Sequence, residues 1–257
     1  MFTSEGTTED YRVTFDTVAE MIDHAIRHSD PHAPSHTSPE SESWDFDAGW
    51  EGAIRLATHG WPEGTKAIDA QSIHFTDILK SHIEIEEWSH DVTGADFDIG
   101  LVNSGEPECW LTPSPRRVDG RGPLHVVVNV AASACVDAAV MQRRGAVIGA
   151  LVTLCEAAGR PCQVDILACL NGVAVGGSIY TLSATLKKPG EPIDMDRLAF
   201  ALCHPAMFRR IMFGVEESAP PQIRRAFGFV PDAGYGWPTN PKSTLHIYIP
   251  SAGGDEN

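Results

Sequence analysis

The stretch from 124 to 158 constrains the fold of this chain most strongly. It begins with LHVVVNV, a continuous apolar and β-branched run that is typical of a strand covered on both faces. Small residues at 131–134 indicate a turn, and apolar residues then recur at helical spacing over 136–158. Gly159 is a common type of helix stop. A strand, a tight turn and a long helix in this order predict an α/β fold.

The sequence after Gly159 continues the same pattern. Two apolar runs predict strands, two helical patterns follow, and an alternating run near the end predicts a closing strand. The predicted ranges are 162–170, 176–187, 195–203 with Asp194 as N-cap, 205 to about 216, and 244–249. Residues 123–257 are therefore predicted as an α/β domain with the order strand, helix, strand, strand, helix, helix. An α+β arrangement stays open.

The N-terminal half has weaker patterns. Residues 14–27 have the spacing of an amphipathic helix, whereas 29–43, SDPHAPSHTSPESES, has little to bury and predicts a flexible linker. Residues 44–122 form an acidic region rich in Trp and Gly, with a short helix at 50–59 that Gly60 stops. We therefore predict three segments, with boundaries at 1–43, 44–122 and 123–257.

The net charge of −16 is carried by the N-terminal half. Residues 1–112 hold 23 Asp and Glu against 5 Lys and Arg, whereas residues 113–257 hold 12 against 14. A large negative field repels phosphate backbones, so general nucleic-acid binding is disfavoured. A local basic patch in the C-terminal half, mimicry of nucleic-acid charge and a role in solubility alone stay open.

Membrane spans, metals and cofactors are not expected. The longest apolar stretches fall far short of the roughly 20 residues that cross a bilayer, and the N-terminus lacks a signal-type apolar region. The six cysteines lack the close pairs of zinc sites and are interpreted as reduced, buried thiols. These features predict a cytoplasmic protein with no cofactor and no metal.

The turn after the first strong strand is a candidate pocket, because ligands gather at the carboxyl ends of strands in open α/β sheets. Its polar residues are Asn129, Ser133, Cys135 and Asp137. The order of elements resembles the start of a von Willebrand factor A-type domain, where a D-x-S-x-S motif holds a metal ion. Here Asn129 and Ala131 replace the Asp and the first Ser, which argues against bound magnesium.

The second predicted helix, from 205 to about 216, carries more apolar residues than one buried stripe requires. We expect part of it to be exposed and to form an interface with a second copy of the chain or with a protein partner. The predicted interface residues are Met207, Phe208, Arg209, Arg210, Ile211, Met212 and Phe213.

Four segments together resemble a family of uncharacterised proteins of tailed phages and prophages. They are GWEGAIRLATHGWPEG, GEPECWL, RRGAVIGALVTLCEAAG and DMDRLAFALCHPAMFRR, and the resemblance covers 44 to about 217. It implies a viral origin but supplies no catalytic residues.

Three functions stay open. The favoured one is a non-enzymatic interaction or virion-associated protein, in the host cytoplasm or the particle. The second is a phage enzyme acting on nucleic acid or a small host molecule, with Asn129, Ser133 and His90 as candidate residues. The third is an acidic inhibitor or regulator of a host protein.

Overall fold

The computed structural model describes residues 2–80, 87–114, 122–172, 177–230, 234–241 and 247–253. The strands in chain order are β1 (Phe2–Gly6), β2 (Asp10–Phe15), β3 (Glu87–Asp91), β4 (Asp96–Phe97), β5 (Trp110–Ser114), β6 (Leu124–Asn129), β7 (Cys162–Asn171), β8 (Ile179–Lys187), β9 (Trp237–Pro238) and β10 (Ile247–Ile249). The helices are α1 (Val18–His28), α2 (Pro34–Thr37), α3 (Glu42–Asp45), α4 (Gly49–His59), α5 (Pro62–Lys80), α6 (Ile99–Ser104), α7 (Ala138–Ala157), α8 (Met195–Cys203), α9 (Phe213–Glu217) and α10 (Pro221–Phe227), with a π-helix at Met207–Met212.

The chain divides into two units. The main unit comprises residues 1–72 and 123–257, and the small unit comprises residues 73–122. The main unit contains a seven-stranded mixed sheet in the order β1-β2-β8-β7-β6-β10, with β9 paired to β7. The chain is thus a mixed α/β protein, as the sequence predicts.

The predicted order of strand, helix, strand, strand, helix, helix is confirmed by β6, α7, β7, β8, α8 and the π-helix with α9. The β6 and β7 strands are parallel and joined through α7, whereas β7 and β8 are antiparallel. The difference follows from the connections, since a parallel pair needs a long crossover and an antiparallel pair does not. Asp194 caps α8 by accepting a hydrogen bond from the Arg197 amide at 3.1 Å, as predicted.

The long helix α7 is packed closely against α8. A Cβ atom at Gly145 would lie 2.0 Å from the Leu202 carbonyl oxygen, so only glycine permits this approach. By length and composition α7 could cross a membrane, but about 44% of its apolar window is buried inside the protein. Core helices of globular proteins have the same properties, and we interpret α7 as a core helix.

The N-terminal segment does not stand apart from the α/β domain, and the predicted boundary at 43 is wrong. The β1 and β2 strands form a hairpin, and β2 extends the main sheet by pairing in parallel with β8. The predicted helix at 14–27 is present but begins at Val18, where Thr17 caps it by accepting from the Glu20 amide at 3.1 Å. Residues 14 and 15 belong to β2, in which exposed and buried residues alternate strictly, so the helix cannot begin before this strand ends.

The prediction of a flexible linker at 29–43 is also wrong, because this segment is docked on the main unit. Ser35 is fully buried, and its amide donates to the Glu217 carboxylate at 2.8 Å. The carbonyl oxygens of Ser35 and Ser38 accept hydrogen bonds from Arg210 at 3.1 and 3.0 Å. The segment buries few apolar side chains, Ala33 among them, and is held mainly by backbone groups that satisfy buried charges, which composition does not reveal.

The predicted region 44–122 is divided between the two units, because residues 44–72 belong to the main unit and residues 73–122 form the small unit. The predicted short helix is confirmed as α4, which ends at Gly60 with a φ of 84°. The small unit has an antiparallel sheet in the order β3-β5-β4 and the helix α6. The alternating run at 83–88 lies mostly outside the described residues.

Candidate ligand site at the carboxyl ends of β6 and β7

A cavity of about 550 Å³ lies beside the turn that follows β6 and the end of β7. Because β6 and β7 are parallel, their carboxyl ends meet at one edge of the sheet, where open α/β sheets usually bind ligands. The turn contributes Ser133 and Cys135, and β7 contributes Leu170. Two of the four predicted pocket residues therefore line this cavity.

Five aromatic side chains form much of the cavity wall. They are Trp44, Phe208, Phe213, Tyr235 and Trp237. Phe213 stacks on Tyr235 with ring centroids 4.2 Å apart and lies edge-on to Phe208 at 5.0 Å. Trp237 is 66% exposed and presents a large apolar surface to solvent. Such rings supply most of the binding energy at protein interfaces and small-molecule sites.

The backbone that carries Tyr235 is strained. Gly234, Tyr235 and Gly236 all have positive φ, at 84°, 58° and 71°, and a bulky residue in this region costs on the order of 1–3 kcal/mol. The Tyr235 hydroxyl donates to the buried Glu217 carboxylate, which holds the side chain in place. Burial raises the pKa of Glu217 above its ordinary value. Strain that the surroundings enforce is characteristic of functional loops.

Arg209 supplies the charge of the cavity. The residue is 1% exposed, and its guanidinium donates to the carbonyl oxygens of Ser133 at 3.0 Å and Val136 at 2.6 Å and lies 5.6 Å from the Trp44 ring centroid. Among the described residues no carboxylate lies within 4 Å of it. Burial lowers the pKa of Arg209 to about 10, with the charges of Asp45 and Asp137 acting in the opposite sense. Arg209 therefore stays charged at neutral pH.

The prediction that part of the helix at 205–216 is exposed is wrong for its π-helical residues. Met207, Phe208, Arg209, Arg210, Ile211 and Met212 are all buried in this chain, and Phe213 is half-buried. Arg210 pairs with Asp45 at 2.6 Å, and both side chains are fully buried. The excess of apolar residues arises because the helix is central and covered on all sides, so the homo-oligomer prediction loses its support. Six of these residues form the π-helix, a geometry often found at functional sites.

The other two predicted pocket residues have structural roles. The Asn129 side chain is buried, donates to the Thr239 carbonyl at 2.8 Å and to the Tyr248 hydroxyl at 3.0 Å, and accepts from the Ala131 amide at 3.2 Å. Asp137 caps α7 through the Ala139 amide at 2.8 Å. Both fix the turn that presents Ser133 and Cys135.

Sequence reasoning missed Trp44, Tyr235 and Trp237 as parts of this site. Trp44 is far away in sequence and reaches the cavity because its carbonyl accepts from Arg209 at 2.5 Å. A usable signal was the G-Y-G at 234–236, since two flanking glycines often mark a left-handed turn.

The polar groups in the described lining of the cavity are hydroxyls, one thiol and one guanidinium. Its described lining offers the hydroxyls of Ser38, Ser133 and Tyr235 and the thiol of Cys135, but it contains no His, Asp, Glu or Lys. Ser133 and Cys135 therefore have no imidazole, carboxylate or amine beside them in the described lining that could act as a general base. The described chain also holds no group of three or more His, Cys, Asp or Glu residues arranged to bind a metal ion.

Comparison with known proteins identifies a family for this chain but no individual relative. No curated protein and no solved structure is significantly similar to this chain. A family model matches residues 3–257, which include every described residue of the cavity. The chain therefore belongs to the family described as a domain of unknown function, DUF7192.

Proposed function

We propose that this protein is a non-enzymatic binding protein whose cavity takes an aromatic or apolar side chain of a protein partner, with an acidic group beside it. The observation that carries the proposal is the combination of five aromatic rings with one buried guanidinium that has no carboxylate partner among the described residues. Aromatic residues and Arg are the types enriched in binding hot spots. An acidic group on the partner would supply the counter-charge.

The net charge of −16 does not oppose an acidic ligand at this site. Charges more than about 10 Å apart are largely screened at 0.1 M salt. A guanidinium in the cavity wall acts at a few ångströms and in a less polar surrounding, where electrostatic attraction is stronger. The local charge therefore sets the preference of the cavity.

The proposal also covers where the partner is found. The resemblance to proteins of tailed phages and prophages supports a viral origin, so the partner is a protein of the virus particle or of the host cytoplasm. Purified particles, examined by mass spectrometry, distinguish the two settings.

Photo-cross-linking in the cell that produces the protein tests the proposal. A photoreactive phenylalanine derivative replaces Trp237 in one variant and, as a control, Leu151, an exposed residue of α7 that lies outside the cavity. We expect one protein to cross-link at 237 and not at 151, through a residue with an acidic neighbour. Free 3-phenylpropionate should compete. Equal yields at both positions, or no effect of the competitor, would overturn the proposal.

A second candidate function, an acidic inhibitor of a basic protein, is favoured by the small unit. Phe97, Ile99 and Val102 are exposed, at 50%, 68% and 44%, and Phe97 contacts the exposed Trp110 edge-on. Residues 73–122 contain 10 Asp and Glu against 4 Lys and Arg. An apolar surface within a negative field is complementary to a basic and aromatic partner.

Synthetic peptides test this second function. A peptide of alternating Arg and Trp should bind, and the affinity should fall with salt, whereas peptides of Arg with Ser or of Glu with Trp should bind weakly. Phe97→Ser should weaken binding, and Phe2→Ser, at an exposed position of the main unit, should not. Equal binding of all three peptides would contradict it.

A further inference from the structure

A second cavity of the main unit, of about 390 Å³, lies between α4, α7 and the start of the π-helix region. Its lining is more polar than that of the first cavity and includes Asp47, Arg55, Gln142 and His204. Within the described part of the chain, the side chains of Asp47, Arg55 and Gln142 have no hydrogen-bond or ion-pair partner. Asp47 and Arg55 are exposed to solvent, so the cavity offers polar groups of both charges that a ligand can reach.

His204 is the buried member of this set. It is only 5% exposed, and its Nδ1 accepts a hydrogen bond from the Ala206 amide at 3.2 Å, so the proton of the neutral ring is on Nε2. Burial lowers the pKa of His204 to about 4, which keeps the ring neutral at pH 7. Nε2 has no partner among the described residues and is not sealed from solvent, so it is available to donate to a ligand in the cavity that His204 lines.

Aromatic rings hold the His204 ring in this orientation. Trp61 meets it edge-on with centroids 4.7 Å apart, and Phe46 does so at 5.6 Å. Both aromatic side chains also line the cavity. The site therefore combines a fixed N–H donor with an apolar wall.

The rim of the cavity has strained backbone. Phe46 and Asp47 are consecutive non-glycine residues with φ of 53°, a conformation that bulky residues rarely adopt. The buried Asp45 carboxylate holds the segment by accepting from the amides of Ser41 at 2.9 Å and Gly49 at 3.1 Å. Strain that is enforced in this way presents Asp47 in a preorganised position.

We propose that this second cavity binds a small zwitterion of the amino-acid type. The carboxylate accepts from His204 Nε2–H and pairs with Arg55, the ammonium group pairs with Asp47, and the apolar part packs against Trp61 and Phe46. A single anion would leave Asp47 opposing it, and a single cation would oppose Arg55, so the charge pattern selects a ligand with both groups.

The test uses three probes of one shape: L-leucine, 4-methylpentanoate without the amine, and 3-methylbutylamine without the carboxylate. Affinities are measured by calorimetry, and the ring nitrogens of ¹⁵N-labelled His204 are followed by NMR. We expect L-leucine to bind at least about fivefold more tightly than either analogue and to shift the Nε2 signal. Leucine binding no tighter than its analogues, or an unmoved Nε2 signal at saturation, overturns the proposal.

Variants at exposed positions add an independent check. Asp47→Asn keeps a residue type that tolerates the left-handed backbone, and it should reduce L-leucine affinity to that of 4-methylpentanoate without weakening the latter. Arg55→Gln should weaken both. Arg12→Gln, at an exposed arginine of β2 outside this cavity, should change neither. An Asp47→Asn variant that binds L-leucine with unchanged affinity contradicts the assignment.

Discussion

We expect loss of the Asp45 charge to lower the free energy of unfolding of the main unit far more than loss of a surface charge does. Arg210 donates to Asp45 from Nε at 2.9 Å and from Nη2 at 2.6 Å, and both side chains are 0% exposed. Breaking a buried pair leaves an uncompensated charge and costs about 3–5 kcal/mol. In Asp45→Asn the side chain keeps its shape, so we expect a loss of about 3 kcal/mol against a total stability of about 5–15 kcal/mol.

The assay is urea unfolding followed by circular dichroism and tryptophan fluorescence. With a slope of about 3 kcal/mol per molar, the midpoint of Asp45→Asn should fall by about 1 M. Asp23→Asn is the control, since Asp23 and Arg27 form an exposed i,i+4 pair at 2.8 Å whose loss should cost under about 0.5 kcal/mol. A midpoint for Asp45→Asn that matches the control would refute the account of the buried pair.

Three further predictions follow from the packing and charge of the main unit. Gly145→Ala should destabilise the main unit by about 1–3 kcal/mol because its Cβ would meet the Leu202 backbone, whereas Gly52→Ala, whose Cβ would make only ordinary contacts at 3.6 Å, should be nearly neutral by thermal unfolding. Burial, with Glu217 nearby, raises the pKa of Glu216 well above 4.5, so the folded state retains a proton that the unfolded state releases above that pH. The contribution of Glu216 to the free energy of unfolding should therefore fall as the pH rises above about 4.5. In urea titrations at several pH values, the unfolding free energy of Glu216→Gln should depend less on pH than that of the wild type. Ser35→Ala removes one hydroxyl donor to buried Glu217 and should cost about 1–3 kcal/mol, and a wild-type urea midpoint would contradict the docking of 29–43.

The central α/β architecture could be predicted because its elements have strong local patterns. The run LHVVVNV, the glycine stop after α7 and the Asp194 cap each act within a few residues, and each has its predicted structure. Hairpin β1–β2 joins the sheet only through its long-range pairing with β8, which no local pattern encodes. Local signals therefore sufficed for β6 to α8 and for the helices α1 and α4, and they failed for the β1–β2 hairpin and for the docked segment at 29–43.

The sequence predicted where the candidate site lies, but it did not predict most of the residues that line it. The turn after β6 was identified because strand ends gather ligands, and Ser133 and Cys135 line the cavity. The apolar residues around Arg209 were interpreted as an exposed interface, since the sequence does not show that docked backbone covers them. Arg209 and Arg210 are buried because carbonyl oxygens from distant parts of the chain accept their hydrogen bonds. Composition alone suggests exposed arginines, since this residue type is mostly found at protein surfaces.

A titration of the wild-type protein with two probes tests the binding cavity most directly. The probes 3-phenylpropionate and 3-phenylpropylamine share a ring and a chain and differ in the sign of their charge, and binding is followed by tryptophan fluorescence and by NMR. The Arg209 guanidinium has no carboxylate within 4 Å among the described residues, which predicts that the carboxylate binds about tenfold more tightly than the amine and shifts signals of Trp44, Tyr235 and Trp237. Equal affinity of the two probes, tighter binding of the amine, or signal shifts away from these residues would contradict the account.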